Sequence, residues 1–218
     1  APGQPLNWLD FIVPPAYAMV SVDPALGQKL QGWVPRKADL DAYLTQVEKL
    51  LKAIAAAEKK RGKVKAPFLE LYDTLLPATA WMETCWRQFE IRRGKVDTVQ
   101  SSVGSVGIMQ INKHVWRGVY DLDALVSDAA YNARAGNEIL VHYLVDYAIK
   151  RGEHEKTGNP DNLARATYAV YNGGPGHLTR YRKAETKPAL RKIDESFFRK
   201  FKAVRRDGRE AVKACYGG

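Results

Sequence analysis

The sequence predicts a mainly α-helical fold, and three observations carry that expectation. Apolar side chains recur at helical spacing in Leu40, Tyr43, Leu44, Val47, Leu50, Leu51 and Ile54, the pattern of a helix with one buried stripe. Residues that start or stop helices stand at the ends of such runs: Asp39 and Asp128 before them, Gly62, Gly152 and Asn172-Gly173-Gly174 after them. No strong alternation of apolar and polar residues marks a strand, and no segment repeats.

Taken in order, residues 1–36 read as an arm rich in proline and aromatics. Its prolines rule out a continuous helix, and Trp8, Phe11, Tyr17 and Trp33 are expected to pack it onto the body. Residues 37–66 hold the long N-terminal helix, capped by Asp39, stopped by Gly62 and packed on the body. The body, 67–218, opens with Pro67 in the first turn of a helix to Leu75. Pro77 should interrupt that helix, and the following turns, Ala78 to Trp86, carry Glu83. A loop or small hairpin is expected over 87–100. Gly104 and Gly107 allow tight backbone, after which Val106 to Trp116 can be helical. Asp128 caps a long helix to about Lys150, and 153–160 form a polar loop. A helix then runs to Tyr171, and one or two basic helices occupy Pro188 to Ala214.

Composition sets the class. The 218 residues are 45% hydrophobic and 27% charged, which suits one globular domain with an added arm. No apolar run reaches the length of a membrane span. Ala1-Pro2-Gly3-Gln4 lacks the features of a signal peptide, although a leader removed earlier would leave none. The net charge of +10 fits a basic soluble surface, a nucleic acid, an anionic membrane or an acidic wall polymer. None of the basic runs matches a nucleic-acid motif. The histidines are scattered and the cysteines lack metal-site spacing, so no metal is expected. Cys85 and Cys215 are either a disulfide, in an exported protein, or two buried thiols; the sequence leaves both open.

Glu83 is the candidate that organises the rest. It follows the apolar residues Ala80, Trp81 and Met82 and precedes Cys85 and Trp86. Apolar surroundings disfavour an ionised carboxyl and raise its pKa, which suits a general acid. The plainer reading is a helix-surface glutamate beside a core face. Gln110 is likewise either a satisfied core amide or a substrate ligand. Trp86, Trp116, Tyr120 and Tyr181 are candidates for stacking on sugar faces, against the commoner role of such aromatics in a core.

Four motifs stand in order: Glu83-Thr84-Cys85-Trp86, Gly107-Ile108-Met109-Gln110-Ile111-Asn112, Asp128/Asn132/Gly136 at four-residue intervals, and Ala169-Val170-Tyr171-Asn172-Gly173-Gly174. Over about residues 70–185 they resemble the lytic transglycosylases of the soluble-transglycosylase type, glycoside hydrolase family 23, whose fold is related to goose-type lysozyme. Thr84 stands for the family's serine and Ser105 for its alanine, and the segment between Glu83 and Ser101 is longer than in common members.

The resemblance implies a lysozyme-like helical domain with Glu83 as the catalytic acid and base. It implies substrate contacts from Ser101, Met109, Gln110, Tyr171 and Asn172, with the Tyr171 hydroxyl approaching the catalytic carboxyl. It further implies cleavage of the MurNAc–GlcNAc β-1,4 bond of peptidoglycan to a 1,6-anhydro product, without a cofactor, in the periplasm or cell envelope. The implied partners are glycan strands and other cell-envelope proteins; no nucleic acid is expected. The rival readings are a lysozyme-type muramidase, which needs a second carboxylate such as Glu90 or Asp97, and a non-catalytic peptidoglycan-binding protein.

Overall fold

The computed structural model describes residues 19–217. Trp8, Phe11 and Tyr17 of the expected arm lie outside the described residues. A short helix, α1 (Pro24–Gln28), is capped by Asp23, which accepts from the Ala25 N–H at 2.9 Å. Trp33 then lies edge-on to Tyr43, ring centroids 5.4 Å apart.

The long helix α2 (Leu40–Arg61) buries Tyr43, Leu44, Val47, Leu50, Leu51 and Ile54, the stripe that defines it in sequence. Gly62 ends it in the left-handed region, φ 73°. Asp39 does not cap it with its side chain. That carboxylate turns back to accept from the Arg36 N–H at 2.6 Å and the Trp33 indole N–H at 3.1 Å. An aspartate a few residues after free donors, here three and six, serves them as readily as it serves a helix N-terminus.

Helix α3 (Leu69–Thr84) corrects two expectations. Pro67 belongs to the preceding turn, and Pro77 neither breaks nor restarts the helix. Proline removes one intrahelical hydrogen bond. Here Leu75, Leu76, Ala78 and Ala80 around it are fully buried, so packing holds the helix where local preference alone would end it. The helix stops at Cys85 and Trp86, φ 56° and 65°, a rare pair of non-glycine left-handed residues. Their N–H groups donate to Trp81 and Ala80 carbonyls at 3.0 and 3.3 Å. The Trp86 indole donates to the Pro77 carbonyl at 2.9 Å, and the Trp86 carbonyl accepts from the Tyr43 hydroxyl at 2.7 Å.

Next come two small antiparallel hairpins. β1 (Phe89–Arg92) pairs with β2 (Lys95–Thr98) around Arg93-Gly94, both at positive φ. β3 (Ser105–Val106) pairs with β4 (Ile111–Asn112), where a helix from Val106 was expected. Gly107 and Gln110 at φ 73° and 49° cannot continue a right-handed helix. The segment's N–H groups are instead taken by buried side chains: Ile108 donates to the Gln88 amide oxygen at 2.8 Å and Met109 to that of Asn132 at 2.9 Å.

Helices close the body. α4 (Leu122–Ser127) precedes α5 (Ala129–His142), which Asp128 caps by accepting from Ala130 and Tyr131 N–H at 2.7 and 3.0 Å. α5 widens into a π-helical stretch, Tyr143–Ile149. The expected polar loop contains a short helix, α6 (Glu153–Thr157), because Glu153 is fully buried and held by Tyr181 and Arg182 at 2.9 Å each. α7 (Asn162–Gly173), α8 (Pro188–Asp207) and α9 (Arg209–Val212) follow. α3 packs along α8, α7 packs against both, and one hydrophobic core joins all these layers. Among the described residues no helix is long and apolar enough to cross a membrane.

Cys85 and Cys215 form a disulfide that resolves the alternatives left by the sequence and ties the last turn of the chain to the end of α3. The Tyr216 hydroxyl donates to the Cys85 carbonyl beside it. The bridge spans 130 positions, and closing so long a loop contributes about 4–5 kcal/mol in the chain-entropy model, less where the unfolded chain retains structure. Replacing both cysteines by serine is expected to lower the urea midpoint and, because the unfolded chain is no longer cross-linked, to raise the m-value. Thiol titration of the denatured parent should give no free thiol before reduction and two equivalents after.

Candidate functional site

Glu83 sits in the last turn of α3, so the left-handed turn at Cys85-Trp86 aims the helix end at the small β hairpins. There it borders a cleft of about 350 Å³, whose lining also includes Ser101, Gln110, Tyr171 and Asn172. Thr84 bolts the helix end to the opposite wall: its hydroxyl donates to the Ile108 carbonyl at 2.9 Å and accepts from the Arg87 N–H at 3.1 Å.

The cleft floor is a tight turn from Gly107 to Gln110, clamped from below. Asn132 on α5 is fully buried and donates to the Val106 and Leu125 carbonyls at 2.9 Å each, while Gln88 donates to the Leu125 and Val126 carbonyls. A side chain on Gly107 would run into Asn132 and Gln88, and one on Gly136 would meet the Met109 side chain at 2.5 Å. The spacing of Asp128, Asn132 and Gly136 thus has a geometric meaning. One face of α5 caps itself, grips the turn and admits Met109 against its backbone.

The sequence candidates separate on this frame. The Ser101 hydroxyl faces the cleft wall and accepts from the Ser105 N–H at 3.0 Å. Gln110 is held with its amide N–H donating to the Val99 and Gly107 carbonyls at 3.2 and 3.0 Å. The Asn172 amide oxygen accepts from Arg180 at 2.9 Å, and Arg180 is itself fixed by bonds of 2.8–3.0 Å to buried Asp194. Met109 was expected to line the cleft, but its side chain is fully buried over Gly136. The Tyr171 hydroxyl does not approach Glu83; it donates to the Met109 carbonyl at 2.6 Å and steadies the floor.

The hydroxyl on Glu83 belongs to Tyr168, one helical turn earlier on α7, donating to Oε1 at 2.8 Å. Sequence reasoning missed it. The available signal was the spacing of Tyr168 and Tyr171, which puts both on one face of α7. Of the four aromatics considered for stacking, only Trp116 borders the cleft; Trp86, Tyr120 and Tyr181 are buried, with Tyr143 taking a place on the wall.

Burial pushes the Glu83 carboxyl up to about 7, against the opposing pull of the Tyr168 hydrogen bond and the Lys200 charge. Among the described residues Glu83 is the single acid lining the cleft. Glu90 and Asp97, the second carboxylates considered, face each other across the β1–β2 hairpin and pair with Arg92. No group of three or more metal-binding side chains occurs among the described residues.

A carboxyl whose folded-state pKa is raised binds its proton more tightly when folded. Its presence costs nothing below about pH 4.5, and the cost grows as pH rises through the window up to about 7. Glu83→Gln keeps an acceptor for Tyr168 and removes the charge. The variant should match the parent in urea unfolding at pH 4 and exceed it by about 3 kcal/mol at pH 8.

The comparisons with known proteins agree with this geometry. Residues 95–193 match the family model described as the Transglycosylase SLT domain. The matched stretch runs from β2 into α8 and holds Ser101, Gln110, Asn132, Tyr168, Tyr171 and Asn172, while Glu83 precedes its start. Among curated proteins and solved structures none matches the chain. The matched stretch, just under half of the chain, is similar to the Transglycosylase SLT domain, a family of enzymes that act on peptidoglycan, and the mainly α fold around the cleft is consistent with that likeness.

Proposed function

We propose that the protein is a lytic transglycosylase that cleaves the β-1,4 bond between MurNAc and GlcNAc and leaves a 1,6-anhydro-MurNAc end. The observation that carries this reading is a lone acid in the cleft, held near neutrality by burial and bonded to one tyrosine hydroxyl. Hydrolysis by the usual route needs two carboxylates. A single carboxyl can serve if it acts twice. Protonated Glu83 gives its proton to the glycosidic oxygen as the bond to the MurNAc anomeric carbon breaks. The substrate's own N-acetyl oxygen attacks that carbon and carries the positive charge as an oxazolinium. Ionised Glu83 then takes the proton of the C6 hydroxyl, whose oxygen closes the 1,6-anhydro ring and releases the N-acetyl group. Glu83 ends protonated, ready for the next bond.

The remaining residues divide the work. Tyr168 orients Glu83 and stabilises the ionised state by donating to it. Ser101, Gln110, Tyr171 and Asn172 serve the sugars from the cleft wall, and Met109 supports them from the core. A disulfide suits an oxidising compartment, which supports action in the periplasm or cell envelope, on glycan strands and beside other envelope proteins. The domain division at 36 and 66 is part of the same proposal.

Digestion of purified peptidoglycan by the parent should yield 1,6-anhydro ends by mass spectrometry; reducing ends in their place would reject the lyase reading. Glu83→Gln should lose roughly 10²–10⁴-fold in rate, the usual contribution of a positioned acid or base. The first step requires protonated Glu83, so kcat/KM of the parent should fall as pH rises through about 7, the range in which that proton is lost.

A further inference from the structure

The back of Glu83 is built by α8, which runs alongside α3 and lies mostly beyond the matched stretch. Phe197 of α8 stacks on Tyr168, centroids 4.0 Å apart and rings 5° from parallel, and so backs the tyrosine that bonds Glu83. Lys200 is on the same helix three positions on. Its ammonium sits 5.4 Å from the centroid of the Trp81 ring, and Trp81 is two residues before Glu83. The Trp81 indole N–H in turn points at Cys215 Sγ, 3.0 Å away, in the disulfide. Among the described residues no carboxylate lies within ion-pair distance of Lys200, although the lysine is partly buried. Taking an ammonium out of water without an ion pair is costly, and what offsets that cost here is the face of the Trp81 ring and the field of the Glu83 carboxylate.

We propose that Lys200 is a positioning residue for the Glu83 reaction: seated on the Trp81 ring, on the helix whose Phe197 backs Tyr168, its ammonium is the cation whose field favours the carboxylate that Glu83 becomes after giving up its proton, and the Cys85–Cys215 disulfide keeps Trp81, and so that cation, in place. This rests on the two-step reading above. The charge counts most in the second step, when Glu83 must be ionised to accept the C6 hydroxyl proton. Lys200 works against burial, which favours the neutral acid of the first step. The other groups around Glu83 do not supply this cation. Tyr168 and Tyr171 on α7 and Tyr143 across the cleft are neutral phenols raised further by burial. Arg87 bonds back to the Thr84 carbonyl, and Arg199 is exposed beside Lys200.

The test is a substrate-free titration of Glu83 by carboxyl carbon NMR in the full chain, with the Glu83→Gln spectrum assigning the signal. Lys200→Met should move the Glu83 midpoint to higher pH, and Lys200→Arg should keep it near the parental value. Mild reduction of the disulfide, or Trp81→Phe, which keeps a ring but drops the N–H, should shift it in the same direction as Lys200→Met by less. An unmoved midpoint in Lys200→Met, or an equal shift in Lys200→Arg, overturns the proposal. A shift in Lys200→Met with no change on reduction or in Trp81→Phe overturns the part assigned to the disulfide. Because the titration uses no glycan, its failure is separate from a failure to find 1,6-anhydro ends.

Discussion

The N–H groups of Cys85 and Trp86 turn back onto the carbonyls of Trp81 and Ala80, and this closing turn decides where the carboxyl of Glu83 stands. Two successive non-glycine residues in the left-handed region cost of order 1–3 kcal/mol each. The turn persists because it is held from every side: by the disulfide to Cys215, the Tyr216 and Tyr43 hydroxyls on the Cys85 and Trp86 carbonyls, the Trp86 indole on Pro77, and Thr84 on Ile108. The contacts come from α2, from within α3, from the turn at Ile108 and from the last residues described. Chain segments far from the cleft in sequence are in this way committed to one backbone turn.

Around that turn the molecule keeps its acid dry on one side and open on the other. Aromatic side chains of α7 and α8 stack behind it, and the cleft lies in front. The same burial that stacks the rings disfavours charge, so the pKa of Glu83 follows from packing more than from any partner. Tyr168 and Lys200 then pull the other way. A group that must be neutral in one step and ionised in the next is served by such a balance near the working pH.

The cleft floor depends on buried polar groups held by hydrogen bonds from several elements. Asn132, Gln88 and the Arg180–Asp194 pair each satisfy backbone or side-chain groups that would otherwise be stranded in the core. Breaking one member of a buried ion pair such as Arg180–Asp194 typically costs about 3–5 kcal/mol. Such networks cost little when complete and much when incomplete, so they give the floor one shape. Asn172 reaches the cleft at the end of the Arg180 pair, which makes its orientation a property of α8 as much as of its own helix.

Much of this was legible in the residues alone. The stripe of α2, the cap at Asp128, the Arg93-Gly94 hairpin and the helix stop at Gly173 all arise from interactions within a few positions, and local sequence determines them. Glu83 was legible as a carboxyl in apolar company, and the spacing of the motifs pointed to its cleft. What tertiary structure alone decided is of another kind. Pro77 stays inside a helix because its neighbours are buried, and the Gly107–Gln110 segment forms a turn because Gln88 and Asn132, distant in sequence, take its N–H groups. Met109 goes into the core because Gly136 leaves room for it. Tyr168, not Tyr171, meets Glu83 in the packing of α7 between α3 and α8, where its ring stacks on Phe197. Sequence spacing puts residues on a face; only the packing of that face against others decides which of them reaches the acid.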